Sequence, residues 1–366
     1  MTIAPFTPDV FAARRDRLRA KLAEAGHTAL LVSNAANRYY LSGFELHDPQ
    51  CNESSGLLLV QVDGPDKLLT DPRFLDAARR LWSEDDIFIY SGRRYQQISQ
   101  FLAKVHPGKL AFETRAMSVD THARLAETLE LAPSYGLVEA LRRVKEPGEI
   151  ERLDKSCALN QRVMEQAIDL AVPGLTEAQA AWRLERCFRD LGATELAFAP
   201  IVAADANAAL PHAVPGETVI SEESVLLVDM GGRYLDYCSD QTRTFWTGKR
   251  PPEHFRKALE LTQLAQAKAM AALRPGLGTH EAYGVAKAFF QEYGVEKAFT
   301  HSLGHGIGLE THEPPSLSPV PDGVLTPGMV ITIEPGLYYP EWGGVRWEHT
   351  VVITEDGCRV LGQDHA

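Results

Sequence analysis

One repeat constrains this chain more than any other feature. Pro173-Gly174-Leu175 recurs as Pro275-Gly276-Leu277, Leu191-Gly192 as Tyr293-Gly294, and Phe188 as Phe290, all at a single offset of 102 residues. Each Pro-Gly-Leu follows one helical pattern (148–171, then 252–273) and precedes another (176–190, then 279–292). Glycine ends a helix and proline stops its continuation. Strand-like segments follow in both halves. The pattern predicts two copies of helix, helix, then strands, forming one helix-covered sheet with an internal pseudo-two-fold: an α+β architecture.

The residues before this repeat read differently. An amphipathic stretch with Phe11, Leu18 and Leu22 precedes short apolar runs at 29–32, 56–62, 67–70, 87–90 and 110–112, with helical patterns near 72–82, 95–105 and 118–130. Strands alternating with helices predict an α/β domain. With 366 residues, two domains are expected: 1–140 and 141–366. The charged, Pro-Gly-broken segment 142–148 reads as a linker.

The acids of the second part sit where they are costly. Val225-Leu226-Leu227-Val228-Asp229 ends an apolar strand in a carboxylate, and Val330-Ile331-Thr332-Ile333-Glu334 does the same. A buried carboxylate needs a cation or a proton. For Asp229 alone, a strand-end cap before Gly231-Gly232 explains as much. Asp240 lies in a polar run leading into a β-prone Thr-Phe-Trp stretch. A hairpin centred between Tyr234 and Leu235 places Asp229 opposite Asp240. The Gly-Gly pair favours an earlier turn, and a bulge accommodates both. Period two puts Arg346 and Glu348 on one strand face, where a simple ion pair is the plain alternative.

Between these acids, His301, His305 and His312 fall within twelve residues among three glycines. Alternating glycines exclude a helix and let the backbone approach a ligand or metal closely. A lone histidine is usually structural; three in such a segment, with acids on nearby strands, point to a site. If the halves are related by a two-fold, the four acids converge near its axis. Four carboxylates and one imidazole suit two divalent cations, with a bridging acid holding them ~3.5–4 Å apart. Oxygen-rich ligands with one histidine favour Mn²⁺, Co²⁺ or Zn²⁺. Such a pair binds a shared water and lowers its pKa to about 7.

Other partners are disfavoured. The formal charge of −12 and the lack of a basic run argue against nucleic acid. The five cysteines, Cys51, Cys157, Cys187, Cys238 and Cys358, form no CxxC and read as free thiols of a reducing compartment. No apolar run approaches membrane-spanning length, and the first residues carry charge where a signal peptide is apolar, so a cytoplasmic location is expected.

These motifs resemble the pita-bread metallopeptidases: prolidase, aminopeptidase P, methionine aminopeptidase and the metal-free creatinase. Asn37-Arg38-Tyr39-Tyr40-Leu41-Ser42-Gly43-Phe44 and Leu69-Thr70-Asp71-Pro72-Arg73-Phe74 resemble the creatinase/prolidase N-terminal domain. Lys145–Ile150 resembles the entry to the catalytic domain. The segments His301–Pro315 and Ile333-Glu334-Pro335-Gly336 carry its most specific motifs. The resemblance implies a pita-bread catalytic domain and hydrolysis of the bond before proline in Xaa-Pro dipeptides by a metal-activated hydroxide. It implies two divalent ions, Mn²⁺ first and Co²⁺ or Zn²⁺ as alternatives, a small peptide substrate with proline second, and a homodimer. The implied ligands are Asp229, Asp240, His305, Glu334 and Glu348, with Asp240 and Glu348 bridging. His212, within Asn207–Ala213, and His312 are implied to contact the substrate, and His301 to line the pocket. Glu334 is implied to shuttle a proton to the leaving nitrogen, Arg346 to orient the bridging glutamate or meet a substrate carboxylate, and Tyr237 to line the substrate pocket. Gln241 stands where relatives often have Ile or Leu, and His349 where an acid is common. The alternatives are an aminopeptidase P acting on longer peptides, or a metal-free creatinase-like amidinohydrolase or binding protein. The first is separated by a tripeptide substrate. The second is disfavoured because all five ligand positions are filled by ligand-capable residues.

Overall fold

The computed structural model describes residues 3–50 and 53–363, so Cys51 lies outside the described residues. The chain divides into two compact units, Met1–Arg142 and Arg143–Ala366.

In the first unit a six-stranded mixed sheet runs in the order Ile87–Ile89, Lys67–Thr70, Gly56–Gln61, Ala29–Val32, Leu110–Glu113, Leu131–Ser134. The strand Ala29–Val32 is buried along its whole length because it is central, antiparallel to Gly56–Gln61 and parallel to Leu110–Glu113. Helices Pro8–Glu24 and Arg94–Val105 turn Leu18, Leu22, Ile98 and Leu102 inward. The α/β expectation holds. The strand Leu131–Ser134 went unread because a proline interrupts it, and it lies at the sheet edge where proline is tolerated.

In the second unit the two halves repeat at the level of single hydrogen bonds. Helices Glu177–Asp190 and Thr279–Glu292 have equal length. Before each, a Pro-Gly turn places glycine at positive φ, +92° at Gly174 and +85° at Gly276. Gly174 N–H donates to Ile220 C=O, and Gly276 N–H to Leu325 C=O, each at 2.9 Å. After each helix, Ala193 donates to Phe188 and Val295 to Phe290, each at 3.0 Å. These matched turns carry the predicted pseudo-two-fold. The strands of the first half pair as Gln241–Trp246, Val225–Met230, Ile201–Ala204. Those of the second half run Glu313–Leu317, Gly304–Gly306, Val330–Ile333, His349–Ile353, Cys358–Val360. Helix Glu253–Ala272 buries Phe255, Ala258, Leu261, Ala265 and Ala269 in a core shared with Leu227, Ile331, Ile333 and Val351.

Two expectations need correction. Segment 142–148 is no loose linker. Val144 pairs with Met329, Lys145 N–H donates to Gly328 C=O at 2.9 Å, and Pro147 opens the helix Pro147–Glu165 behind a capping box. The hairpin after Asp229 turns at Leu235-Asp236, with φ of +52° and +71°, so Tyr234 faces Tyr237 and Asp229 faces Thr242. A two-residue turn with both central residues left-handed matches the twist of the flanking strands. Asp229 and Asp240 are therefore offset. Between them the chain passes from one sheet to another, with Gly231 so close to Ser239 that a Cβ would strike its carbonyl.

Candidate metal centre

The strands deliver acids to one place. Asp229 sits in the strand Val225–Met230, Asp240 just before Gln241–Trp246, and Glu348 just before His349–Ile353. One carboxylate oxygen from each lies within 4.8 Å of the other two. All three residues are buried. Glu334 follows the strand Val330–Ile333, and His305 Nε2 lies 3.3 Å from Glu334 Oε1 and 3.6 Å from Asp240 Oδ2. The five residues that the resemblance implies as ligands thus meet, although the chain separates them by more than a hundred positions.

The donor set fits cations on two independent grounds. Asp229 Oδ1 and Glu348 Oε1 are buried without a hydrogen-bond partner, an expensive state for a carboxylate oxygen. The ring of His305 adds a second. Its Nδ1 lies 3.0 Å from the Gly306 carbonyl, which only accepts, so Nδ1 carries the proton. Nε2 therefore turns a lone pair toward two carboxylates, an arrangement that a cation or a proton between them stabilises.

The electrostatics agree. Burial pushes Asp240 well above the usual carboxylate range, and Glu348, Asp229 and Glu334 push it further. Burial does the same to Glu348, reinforced by Glu334 and Asp229. Glu334 is pushed up to about 8, first by burial. Burial depresses His305 to about 3, with His312 adding to it.

Arg346 ties the acids together. Its Nη2 donates to Asp229 Oδ2 at 2.6 Å, and its Nε donates to Thr242 Oγ1 at 3.0 Å, whose hydroxyl donates to Glu348 Oε2 at 2.8 Å. Its ion pair is therefore with Asp229, and Glu348 is reached through Thr242. The β pattern through 345–353 is broken at Trp347-Glu348, where the chain changes sheets, so the two residues are not on one continuous strand face. Arg346 Nη1 donates to Tyr338 Oη at 2.7 Å and to Pro211 C=O at 3.2 Å. At 3% exposure, with Nε, Nη1 and Nη2 each bonded inside the protein, it is placed to orient carboxylates.

Tyr338 extends the network. His301 Nδ1 faces the Ser302 carbonyl at 2.7 Å and so carries the proton, leaving Nε2 to accept from Tyr338 Oη at 2.9 Å. Tyr338 thus joins Arg346 to His301. Replacing Tyr338 by Phe is expected to lower turnover by about tenfold while bound metal is unchanged; kinetics with metal analysis of the same preparation check this.

The remaining residues sort by exposure. His212 and His312 are exposed, and His312 stacks edge-on against His305 with ring centroids 4.1 Å apart. The charge of His212 is felt by both His301 and His312, so the three imidazoles share one space. Tyr237, expected to line the pocket, is buried, and its hydroxyl donates to Glu149 Oε1 at 3.0 Å. The glycines of the histidine segment serve strand packing. A Cβ at Gly304 would strike the Thr332 carbonyl, and one at Gly308 the Glu313 carboxylate. That carboxylate is held by Lys145 in an ion pair of 3.3 Å, buried on both sides.

Behind the acids, His349 and Gln241 have their own partners. Arg243 Nη2 donates to His349 Nε2 at 2.8 Å, and His349 Nδ1 donates to Gln266 Oε1 at 3.0 Å. Gln266 Nε2 donates to the carbonyls of Ile333 and Trp347, each directly preceding a clustered glutamate. Gln241 Nε2 donates to Gln161 Oε1 at 2.7 Å. Thr242, Tyr338, Arg243 and Gln266 went unnoticed in the sequence; only Arg243, a charge inside a β-prone run, carried a visible signal.

The comparisons with known proteins coincide with this geometry. Residues 151–355 match metallopeptidase family M24, and residues 14–144 match the creatinase/prolidase N-terminal domain. The chain is 32% identical over 333 residues to an Xaa-Pro dipeptidase of Pyrococcus furiosus, covering 91% of this chain and 92% of that protein. Among solved structures, an Xaa-Pro dipeptidase from Bacillus anthracis superposes with a TM-score of 0.90 at 31% identity, covering 97% of this chain and 98% of that one. An X-Pro aminopeptidase from Thermotoga maritima gives 0.84 at 29% identity, covering 94% and 96%. A family that cleaves peptides with divalent metal ions and a buried cluster of acids around one imidazole are two descriptions of the same region, and the chain belongs to metallopeptidase family M24.

Proposed function

We propose that this protein is an Xaa-Pro dipeptidase whose two divalent ions, Mn²⁺ by preference, are held by Asp229, Asp240, His305, Glu334 and Glu348. One observation carries the reading: three buried carboxylates within 4.8 Å of one another, two of them with an orphaned oxygen. When bound, such ions polarise a carbonyl and acidify water. Asp240 and Glu348, both buried, would be the acids shared between the ions, as the resemblance implies. Arg346 fixes Asp229 directly and Glu348 through Thr242, so the acids hold one arrangement.

A bond to proline is a tertiary amide without an N–H. A site for it needs no acceptor for that hydrogen, but the departing imino nitrogen needs a proton. Glu334 has the most exposed carboxylate of the clustered acids, 16% against 7% for Asp240 and 11% for Asp229, and is assigned that transfer. The exposed imidazoles of His212 and His312 are assigned to donate hydrogen bonds to the substrate carbonyl oxygen as charge develops there. His212→Ala is expected to keep its metal while turnover falls by about tenfold or more; loss of the metal from that variant contradicts a substrate-facing role.

The first unit is proposed to be the creatinase/prolidase-like domain and the second the catalytic one. The four described cysteines are all free, which supports a reducing, cytoplasmic setting. No described helix is long and apolar enough to cross a membrane. A homodimer follows from the family resemblance and is checked by light scattering. Steady-state kinetics on Ala-Pro against Ala-Pro-Ala test the substrate length. Preferred turnover of the dipeptide is expected; turnover of the tripeptide alone replaces the dipeptidase by an aminopeptidase.

A further inference from the structure

We infer that Glu177 is a positioning residue that holds His212 in the site by tying together both ends of loop 204–216. The inference rests on the reading of His212 as substrate-facing. Glu177 opens the helix Glu177–Asp190 and is 1% exposed. Its Oε1 accepts from Ala204 N–H at 2.7 Å, and its Oε2 from Gly216 N–H at 3.0 Å. Asn207 Nδ2 donates to both oxygens, at 3.0 and 3.2 Å. One carboxylate thus closes a loop of a dozen residues, accepting a backbone N–H at each end.

The loop is fixed on its other sides too. Asp205 adopts φ +50°, and its carboxylate accepts from Ser224 Oγ at 2.9 Å and Val225 N–H at 3.0 Å, at the start of the strand that carries Asp229. The carbonyls of Asp205 and Ala208 press on Gly343 and Gly344 so closely that a Cβ on either glycine would strike them. The Pro211 carbonyl accepts from Arg346. His212 follows directly, exposed, with nothing but this frame to aim it. Glu177 touches none of the clustered acids, so its effect passes through the loop.

The experiment is a double-mutant cycle on Mn²⁺-loaded enzyme hydrolysing Ala-Pro. Glu177→Gln keeps the side-chain shape but turns an amide NH₂ toward N–H donors. It is expected to lower kcat/KM by about tenfold or more, the scale of a misplaced positioning group. Bound metal stays unchanged, and hydrogen exchange across 205–216 accelerates. Asn207→Ala, which leaves the carboxylate in place, is expected to change both readouts in the same direction and less. In a His212→Ala background, Glu177→Gln is expected to cost less than about twofold, because the group it aims is gone. Equal losses in both backgrounds, or loss of metal from Glu177→Gln, overturn the inference. A His212→Ala loss beside an unaffected Glu177→Gln enzyme overturns the Glu177 assignment alone. A His212→Ala enzyme of full rate overturns the His212 role and this inference with it.

Discussion

Asp240→Ala and Glu348→Ala enzymes are each expected to lose bound metal and at least roughly a thousandfold in kcat/KM, with no loss of folded stability in the metal-free state. The two halves of that expectation have one cause. Asp240, Glu348 and Asp229 crowd their oxygens within 4.8 Å, and burial strengthens their repulsion. Without cations, each added charge opposes folding. Removing one carboxylate relieves that repulsion as it destroys the site. The variants are therefore inactive for want of ligands and not for want of structure. Thermal melts of the metal-free variants beside wild type, with metal analysis and kinetics on the same samples, separate the two effects. A Glu348→Ala enzyme at near-normal rate removes the site assignment.

The same crowding makes the metal-free protein sensitive to pH. An acid whose folded pKa is raised contributes stability that is fully present below its unfolded pKa and is lost as pH rises through the folded one. Glu334 is pushed up to about 8, and Asp240 and Glu348 are also raised. Neutral buried imidazoles act in the opposite sense. His305 at about 3 and His301 at about 4 cost stability as pH falls below the unfolded histidine value near 6.5. Between pH 6.5 and about 8.5 the raised acids dominate, because each buried imidazole, half protonated at pH 6.5 when unfolded, offsets only about 0.4 kcal/mol. Across that range, stability of the metal-free protein is expected to fall by about 2 kcal/mol or more, from Glu334 alone, with Tm dropping by about 4–8 °C. The metal-loaded protein is expected to stay nearly flat, because cations hold the carboxylates ionised at all these pH values. Scanning calorimetry of both forms at pH 6.5 and 8.5 measures the difference. Equal slopes contradict the account.

The parts of this protein that the sequence made legible are those with a cost written into it. A carboxylate closing an apolar strand, as at Asp229 and Glu334, calls for a cation or a proton, and the histidines nearby in sequence turned that cost toward a cation. A repeat offset shared by Pro-Gly turns and helices predicts a pseudo-two-fold, because the same local chemistry recurs in the same role; Gly174 and Gly276 make equivalent hydrogen bonds. What stayed hidden depends on contacts between distant strands. The offset of Asp229 from Asp240 is set by a left-handed turn at Leu235-Asp236, neither of which advertises it as glycine does. Thr242 and Tyr338 look like ordinary β residues until Arg346 is seen between them. The resemblance implied Tyr237 as a pocket-lining residue, and in the structure its hydroxyl is turned to Glu149. Nothing at Glu177 in the sequence shows that its two oxygens close the loop carrying His212.

The central claim is that five side chains from both halves of one domain grip two divalent ions and that hydrolysis before proline depends on them. Metal analysis of the purified protein, then of the chelator-stripped protein, with Ala-Pro hydrolysis followed as Mn²⁺ is titrated back, tests it directly. Stripping is expected to abolish turnover, and activity to return in step with binding, saturating at two ions per chain. Full Ala-Pro hydrolysis by protein carrying no divalent metal would contradict the claim.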